Sequence, residues 1–420
     1  MRKTILCGLC ICAGAAFAAM EGFSVSRVSA QPRWPWDTVV DIAFFLDTPE
    51  SMTAPELGAQ VGVSATVNGQ THLLAGVTGT DVFGSGWHSI TWDPAVDFPR
   101  QDVKNVSFQV EVTNAPFAYS YLRIDLDTGS RQYFDATYAE TVNVDRLNKT
   151  RYMVFKYIPS TLSAVWTAAH GGTDSFTLGA GDESAYGQTE SDRAREQPAT
   201  VRLTKAFWLG VYPVTVGQLN RLTGGTDTNS TIAVGDTTYN SWRGADEPGG
   251  AYCWPTSRAV DPDTPIGRLR TKTGLDFDLP TEAQWEYACR AGTATPHYCA
   301  STSEAIEKTV SLTDQVGTKE PNPWGLYDMI GCRHQWTLTL GRSQDNDDGS
   351  SACLHEAGDD PVGQTPTYAS PRRVTRGSHL GCDNAMVRVT RSAYRYPQSG
   401  TNPGEQGNCG ARLCLTLNHP

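Results

Sequence analysis

Cysteine is missing from a long stretch of this 420-residue chain: three cysteines lie within the first 12 residues, and the next is Cys253. From Cys253 onward no C-x-x-C pair occurs, and the chain has no H-E-x-x-H, so the usual zinc-binding spacings are lacking. There is also no Walker loop, no G-x-S-x-G nucleophile elbow and no G-x-G-x-x-G opening a helix after a strand. The common signatures of nucleotide binding and serine hydrolysis are therefore excluded.

Positive charge is also scarce, with 34 Lys and Arg against 45 Asp and Glu and a formal net charge of −11. This balance argues against a nonspecific nucleic-acid binder. The apolar run Ile5 to Phe17 is too short to span a bilayer, and no later run is long enough. Arg2 and Lys3 before it and Ala18 after it predict a secretory signal peptide over residues 1–19. We therefore expect export to the periplasm, the medium or the cell surface, without a transmembrane segment.

Eight cysteines remain after the predicted signal peptide. An even number in an exported chain favours some disulfides, although the sequence does not fix their connectivity. They are Cys253, Cys289, Cys299, Cys332, Cys353, Cys382, Cys409 and Cys414.

Short alternating apolar and polar runs fill the chain from Val39 to about Pro159, with turn residues between them. Asn68-Gly69 is a hairpin-type turn within this region. Regular short strands without helices predict a small β-sandwich domain over residues 37–160. It holds no constellation of catalytic groups, so a spacer or docking role is the interpretation, and its function stays open.

The segment LPTEAQWEYACRAGT, Leu279 to Thr293, predicts a short helix that is fixed at both ends. Thr281 followed by Gln284 is a capping-box pattern, and Gly292 stands where a C-terminal cap belongs. Trp285 gives the apolar face a large ring, which is typical of a central packing element.

Thr215 is a predicted N-cap of another helix, and Pro265 to Thr273 predicts a third helix that ends at Gly274. The charged run ESDRAREQ, which begins at Glu190, is expected to be a solvated loop.

Four stretches carry a family resemblance. They are FWLGVYPVTVGQL, LPTEAQWEYACRAGT, NPWGLYDMIGCRHQW and the segment Arg373 to Leu415 with RVTRGS, RSAYRYP and GARLCL. In this order they resemble the formylglycine-generating enzyme or sulfatase-modifying-factor family over residues 165–420. The resemblance implies a loop-rich α+β fold related to C-type lectins, after the β-sandwich. The family usually has Arg before LPTE, and Asp278 here puts a usual ion pair in doubt.

The resemblance also implies that several clustered arginines are scaffold groups paired to carboxylates inside the fold. These arginines are Arg372, Arg373, Arg376, Arg388, Arg391 and Arg395.

Oxidases of this family hold copper(I) with two cysteines in a G-S-x-x-C-x-x-x-x-C arrangement, since soft sulfur suits a soft ion. Counting from Ser378, the two positions are Gly381 and Met386. Cys382 is one residue out of register, and methionine cannot be a reactive thiolate. The only remaining sources of a second thiolate in this part of the chain are Cys409 and Cys414. Formylglycine-generating activity and copper are therefore not expected.

The family's GNVWEW loop offers oxygen ligands to calcium. The matching positions here are Asp328, Gly331, Arg333 and Gln335. The change of Glu to Gln335 removes a negative ligand and Arg333 adds a positive charge, so the resemblance implies at most a weakened calcium site. The alternative is a loop that is held by packing alone.

The GARL ending beside the chain terminus is similar to that of variable proteins of diversity-generating retroelements. In those proteins, scattered positions of this segment are diversified to make a ligand-binding face. Tyr394 and Tyr396 would be the natural anchors, as rigid amphipathic rings. The candidate positions are His379, Leu380, Asp383, Asn384, Met386, Tyr394, Tyr396, Gln398, Thr401, Glu405, Gln406 and Asn408. The alternative is an ordinary surface loop.

The sequence thus favours an exported, noncatalytic protein that binds an unknown protein or glycan ligand. The alternative function is an oxidase that converts a sulfatase cysteine to formylglycine. A family relative that binds iron and acts on small thiols is a third hypothesis, but the His-rich metal set expected there is missing from the sequence.

Overall fold

A computed structural model of the protein describes most of the chain after the predicted signal peptide. The described residues are 23–32, 39–48, 57–78, 80–83, 86–101, 103, 105–118, 120–244, 260–299, 302–311, 313–341, 357–362, 372–378, 386–399 and 408–416. Contacts divide the chain into two units, Met1–Tyr119 and Ser120–His419. The predicted β-sandwich region, residues 37–160, falls across these two units. Within the described residues, no helix is both long and apolar enough to cross a membrane.

The first unit contains short strands that form two sheets, and its first described strand begins before residue 37. The elements are β1 (Ser24–Pro32), β2 (Val40–Asp47), β3 (Leu57–Val67), β4 (Gln70–Leu73), β5 (Val77–Thr78), β6 (Asp81–Phe83), β7 (Gly86–Trp92), α1 (Pro94–Asp97) and β8 (Ser107–Ala118). One sheet has the order β1-β2-β7-β5, and the other has the order β4-β3-β6 with β8 also paired to β3. Alternate residues of β2 are buried, as a half-buried strand requires. The hairpin at Asn68-Gly69 is confirmed, and both residues have positive φ.

The second unit is an α+β assembly of short elements, as expected. Its strands are β9 (Tyr121–Asp125), β10 (Arg131–Phe134), β11 (Tyr152–Ile158), β12 (Phe176–Leu178), β13 (Ala199–Arg202), β14 (Phe207–Gly210), β15 (His334–Gly341), β16 (Gly358–Asp359), β17 (Arg372–Arg376), β18 (Tyr396–Ser399), β19 (Cys409–Gly410) and β20 (Cys414–Thr416). Its helices are α2 (Ala139–Val142), α3 (Ala164–Ala169), α4 (Glu190–Arg195), α5 (Val216–Thr223), α6 (Tyr239–Arg243), α7 (Pro265–Thr273), α8 (Glu282–Arg290), α9 (Ser303–Thr309) and α10 (Met386–Val389).

Strands β9 and β11 explain why the boundary between the units lies near residue 120. They belong to a five-stranded sheet with the order β10-β9-β11-β14-β20, in which β11 connects β9 and β10 to strands further along the chain. β11 pairs with β14, and β14 pairs with β20 near the end of the chain. Alternation in sequence shows that a segment is a strand but not which sheet it joins.

Helix α8 has the predicted N-terminus. The Thr281 hydroxyl accepts from the backbone of Gln284, and the Gln284 side chain accepts from the backbone of Thr281. The C-terminal cap is Ala291 in the left-handed conformation (φ 47°), one residue before the predicted Gly292. Every residue of the helix is buried, and Trp285 lies in the main core cluster. The other two caps, at Thr215 and Gly274, are confirmed.

Asp278, just before α8, does have an ion pair. Arg243 donates to both of its carboxylate oxygens at 2.9 Å, and Arg270 approaches the second of them to 3.1 Å. The charges are reversed relative to the family pattern, and the cations come from α6 and α7.

Candidate functional site

The candidate face is built on the sheet in which β18, β17, β15 and β19 lie side by side. Tyr396 pairs with Thr375, and Thr375 pairs with Trp336, so these side chains share one face. His334 lies two residues before Trp336 and joins the same face. The start of β15, β18 and β19 and the end of β17 meet at one end of the sheet, where the chain continues from Ser378 into residues 379–385.

Tyr396 lies over a buried histidine at this end. The rings of His334 and Tyr396 stack with centroids 5.5 Å apart and planes at 19°. His334 is 4% exposed, whereas Tyr396 is 40% exposed. A ring held in this way loses little rotamer freedom when it meets a ligand, so Tyr396 suits the predicted anchor role.

Tyr394 does not have the exposed ring that an anchor needs. It is 9% exposed, and the guanidinium carbon of Arg388 lies 5.9 Å from its ring centroid. Tyr394 lies two residues before Tyr396, ahead of the start of β18, and its ring is buried whereas that of Tyr396 is exposed. Tyr394 as an anchor stays a prediction, and its burial argues against that role.

Asn408 is bound into the scaffold. Its side-chain oxygen accepts from Arg333 Nη1 at 2.5 Å, and its backbone N–H donates to Asp236 Oδ1 at 3.0 Å. Its φ of 73° is in the left-handed region, which asparagine tolerates better than most residues. Asn408 therefore helps to form the base of the face, and its role as a ligand contact stays a prediction.

The backbone places Met386 at the start of α10 and Gln398 within β18. The other predicted ligand-binding positions lie outside the described residues, together with Gly381 and Cys382. These positions are His379, Leu380, Asp383, Asn384, Thr401, Glu405 and Gln406.

The cysteines that the structure describes are free thiols. They are Cys289, Cys299, Cys332, Cys409 and Cys414. All except Cys299 are buried. Burial raises the pKa of Cys289 and of Cys409 to about 12 and raises the pKa of Cys414 further. The expected disulfides do not involve these five, and Cys253, Cys353 and Cys382 lie outside the described residues.

We expect Cys409 and Cys414 to resist alkylation by iodoacetamide in the native protein at pH 8. A buried thiol with a raised pKa is neither accessible nor ionised, and only the thiolate reacts. Mass-spectrometric peptide mapping should find both cysteines labelled only after unfolding in urea, with the half-buried Cys299 as the internal comparison. Rapid native labelling of Cys409 or Cys414 would contradict the buried placement.

The side chain of Gln335, one of the predicted calcium positions, is fully paired with protein groups. Its Oε1 accepts from Trp285 Nε1 and from Arg412 Nε, both at 2.9 Å. Its Nε2 donates to the carbonyl oxygens of Asp328 at 3.0 Å and Met329 at 3.4 Å. The position at which the resemblance places a calcium ligand thus presents an N–H group to the nearby carbonyls.

The other three calcium positions each make hydrogen bonds or ion pairs to protein groups, through one carboxylate oxygen of Asp328, the guanidinium of Arg333 and the backbone N–H of Gly331. Asp328 Oδ2 accepts from the backbone N–H of Gly317 at 2.6 Å, and burial raises the pKa of this carboxyl to about 6. Arg333 pairs with Asp314 at 2.9 Å, and the N–H of Gly331 donates to the carbonyl of Gly377 at 2.6 Å. The donor set does not fit a calcium ion, which needs six to eight free oxygens. Calcium stays a prediction from resemblance, and the geometry argues against it.

The implied arginine–carboxylate pairs are confirmed for four of the six arginines. Arg376 pairs with Glu282 and Glu286, Arg395 with Glu282, Arg391 with Glu183 and Glu196, and Arg388 with Asp192. Arg373 instead lies over the ring of Tyr239, 4.1 Å from its centroid.

The partners of Arg388 and Arg391 correct the prediction for the run ESDRAREQ. Asp192 and Glu196 are each 1% exposed, and α4 occupies the run that was expected to be a solvated loop. Thr189 and Asp192 form a capping box at its start. That four-residue pattern was visible in the sequence and was the signal for a helix here.

Comparison with known proteins gives one family match. The family described as Sulfatase-modifying factor enzyme 1-like domain matches residues 168–416. The chain is 32% identical over 169 residues to serine/threonine-protein kinase pkn1 of Chlamydia pneumoniae, over 37% of this chain and 26% of that protein. It is also 32% identical over 145 residues to the formylglycine-generating enzyme of Mycobacterium tuberculosis, over 29% of this chain and 46% of that enzyme. The chain thus spans less than half the length of these relatives.

Among solved structures, Treponema denticola variable protein 1 is similar, with a TM-score of 0.40 and 20% identity. The similarity covers 63% of this chain and 95% of that one. PvdO from Pseudomonas aeruginosa is similar with a TM-score of 0.39 and 22% identity, over 63% of this chain and 94% of that one.

Proposed function

The chain belongs to the family of the sulfatase-modifying factor enzyme 1-like domain, and from that premise we propose that it is an exported, noncatalytic ligand-binding protein. The ligand is a protein or a glycan, bound by Tyr396 and by candidate positions within residues 379–385 and 400–407. Export is supported by the charged, apolar and small-residue pattern of the first 19 residues. Buried thiols are compatible with an oxidising compartment because oxidants react with accessible thiolates.

The noncatalytic part of the proposal depends on the positions and the burial of the cysteines. Gly381 and Met386 occupy the two cysteine positions of the oxidase pattern. Cys409 and Cys414 are at most 2% exposed and have raised pKa values, so neither can supply the missing thiolate. A copper(I) site of the kind that the resemblance implies needs two accessible thiolates, and this chain has Gly381 and Met386 at the two positions of that pattern.

The binding part is supported by the contrast between the exposed Tyr396 and its rigid base. His334, Arg333 and Asn408 are held by stacking, an ion pair and hydrogen bonds beneath the end of the sheet. A stiff base lets the loops beside it vary without loss of the fold, and little entropy is lost when a ligand binds.

We expect the copper-loaded protein to leave a C-x-P-x-R peptide unchanged. The formylglycine-generating enzyme of Mycobacterium tuberculosis, treated in the same way, is the positive control. Mass spectrometry of the peptide cysteine distinguishes the two outcomes. Conversion by this chain at a rate near that of the control would establish the oxidase alternative.

Sequencing many clones of the locus tests the diversified face. The proposal expects substitutions at Tyr396 and at the candidate positions within 379–385 and 400–407, with an unchanged framework. The buried Tyr394 and the engaged Asn408 are the internal controls, and both are expected to stay constant. A uniform sequence at all these positions, or changes spread evenly over the second unit, would count against the proposal.

A further inference from the structure

Two side chains, an amide and a guanidinium, donate hydrogen bonds to backbone carbonyls of the turn that precedes β15. Gln335 Nε2 donates to the Asp328 carbonyl at 3.0 Å and to the Met329 carbonyl at 3.4 Å. Arg412 Nη2 donates to the same Asp328 carbonyl at 2.9 Å and to the Tyr327 carbonyl at 2.6 Å. Both side chains are 0% exposed.

The backbone needs such donors because several of its carbonyls converge. Asp328, Gly331 and Cys332 all have positive φ, so the chain folds back on itself over five residues. Converging carbonyl oxygens repel one another unless a donor or a cation lies between them, and buried acceptors without a partner are costly. In this chain the donors are the amide of Gln335 and the guanidinium of Arg412.

We propose that these two groups replace the calcium ion that the family resemblance places at this turn, so that the fold of this chain does not require the metal. A glutamate at position 335 would direct a carboxylate oxygen at the Asp328 and Met329 carbonyls. Three oxygens facing one another need a cation, whereas an amide presents its own N–H groups. Gln335 orients its nitrogen correctly because Trp285 and Arg412 both donate to its oxygen.

The side chain of Asp328 has one oxygen that would favour a cation, and the positive charge of Arg412 opposes it. Its Oδ1 is buried without a hydrogen-bond partner, although its Oδ2 accepts from Gly317. A bound cation would engage such an oxygen. Here Arg412 is already bound to the Asp328 carbonyl, and a second cation beside a buried guanidinium would be repelled. Replacing Gln335 with glutamate removes one N–H donor and adds one negative charge, which is the change that would let calcium bind.

The test is thermal unfolding of the full chain in EDTA and in calcium chloride, for the wild type, Gln335→Glu and Gln218→Glu. Gln218 is the matched control: it is buried, its oxygen accepts from Thr215, and its Nε2 donates to the carbonyls of Tyr152 at 2.7 Å and Asn148 at 3.4 Å. Gln218→Glu thus makes the same change from amide to carboxylate at a buried position outside the turn at Asp328.

The wild type and Gln218→Glu are expected to unfold at the same temperature in EDTA and in calcium, within about 1 °C. Gln335→Glu is expected to gain about 5–10 °C in calcium over EDTA, at a calcium concentration about a hundred times its dissociation constant. A fall in the melting temperature of the wild type on addition of EDTA would overturn the proposal. So would a calcium shift that is absent from Gln335→Glu or equal in Gln218→Glu. If Gln335→Glu does not fold, the response of the wild type to EDTA decides.

Discussion

Replacing Arg376 with methionine is expected to lower the free energy of unfolding of the second unit by about 3–5 kcal/mol. Arg376 is 0% exposed and lies between two carboxylates of helix α8. Its Nη1 is 2.8 Å from Glu282 Oε1, its Nη2 bonds to Glu286, and its guanidinium lies over the ring of Trp285. Methionine keeps the apolar length of the side chain but leaves both carboxylates in the core with one fewer cation.

The loss of stability comes from the buried carboxylates that remain when Arg376 is replaced. A buried ion pair is only weakly stabilising as a whole, because bringing both charges out of water offsets their attraction. Removing one member leaves the desolvation cost of the other uncompensated. Arg395 still pairs with Glu282 and Arg290 with Glu286, at 2.8 Å for the latter, so the loss is partial.

Arg202→Met is the matched control. Arg202 also pairs with two carboxylates, Asp359 at 2.7 Å and Asp174 at 3.3 Å, but these side chains are 44% to 49% exposed. Solvent screens exposed ion pairs, so this variant should lose much less stability than Arg376→Met. Urea unfolding followed by tryptophan fluorescence measures both variants. Equal losses would show that burial of the Arg376 network has no energetic consequence.

Local chemistry made much of the second unit predictable from sequence. The caps at Thr281, Thr215 and Gly274 depend on residues within one turn of the helix end, so a short window contains the whole cause. The hairpin at Asn68-Gly69 is local in the same sense. The one-residue error at the end of α8 arose because Ala291 takes a left-handed conformation that alanine adopts rarely.

The candidate site was less predictable because its determinants are distant in sequence. Asp278 is paired by Arg243, 35 residues earlier, and Glu196 is paired by Arg391, 195 residues later. Such ion pairs determine whether a charged segment is buried. The hydrophobic periodicity of the sequence does not indicate them, because the partners are far apart in the chain. Tyr394 and Tyr396 are the same residue type two positions apart, so the sequence does not distinguish them. Only the structure shows that the ring of Tyr396 is exposed and that of Tyr394 is buried.

Gly331→Ala is expected to destabilise the second unit by several kcal/mol or to prevent its folding. Alanine is disfavoured at the positive φ of this position, and its Cβ would clash with a neighbouring backbone atom. Gly331 has φ 85°, and a Cβ there would lie 2.2 Å from the carbonyl oxygen of Ser311. The backbone cannot shift easily. The Gly331 N–H donates to Gly377 at 2.6 Å, and the Cys332 N–H donates to that same Ser311 oxygen at 2.7 Å.

Gly224→Ala separates the two causes. Gly224 has φ 84°, but a Cβ there meets nothing within 4 Å. It should cost only the left-handed penalty for an L-residue, about 1–2 kcal/mol. Urea unfolding and the yield of soluble protein compare the two variants, and similar losses would contradict the close approach of Ser311 to Gly331. A larger loss at Gly331 would mean that the glycine is needed for backbone packing whether or not its carbonyl ever meets a metal.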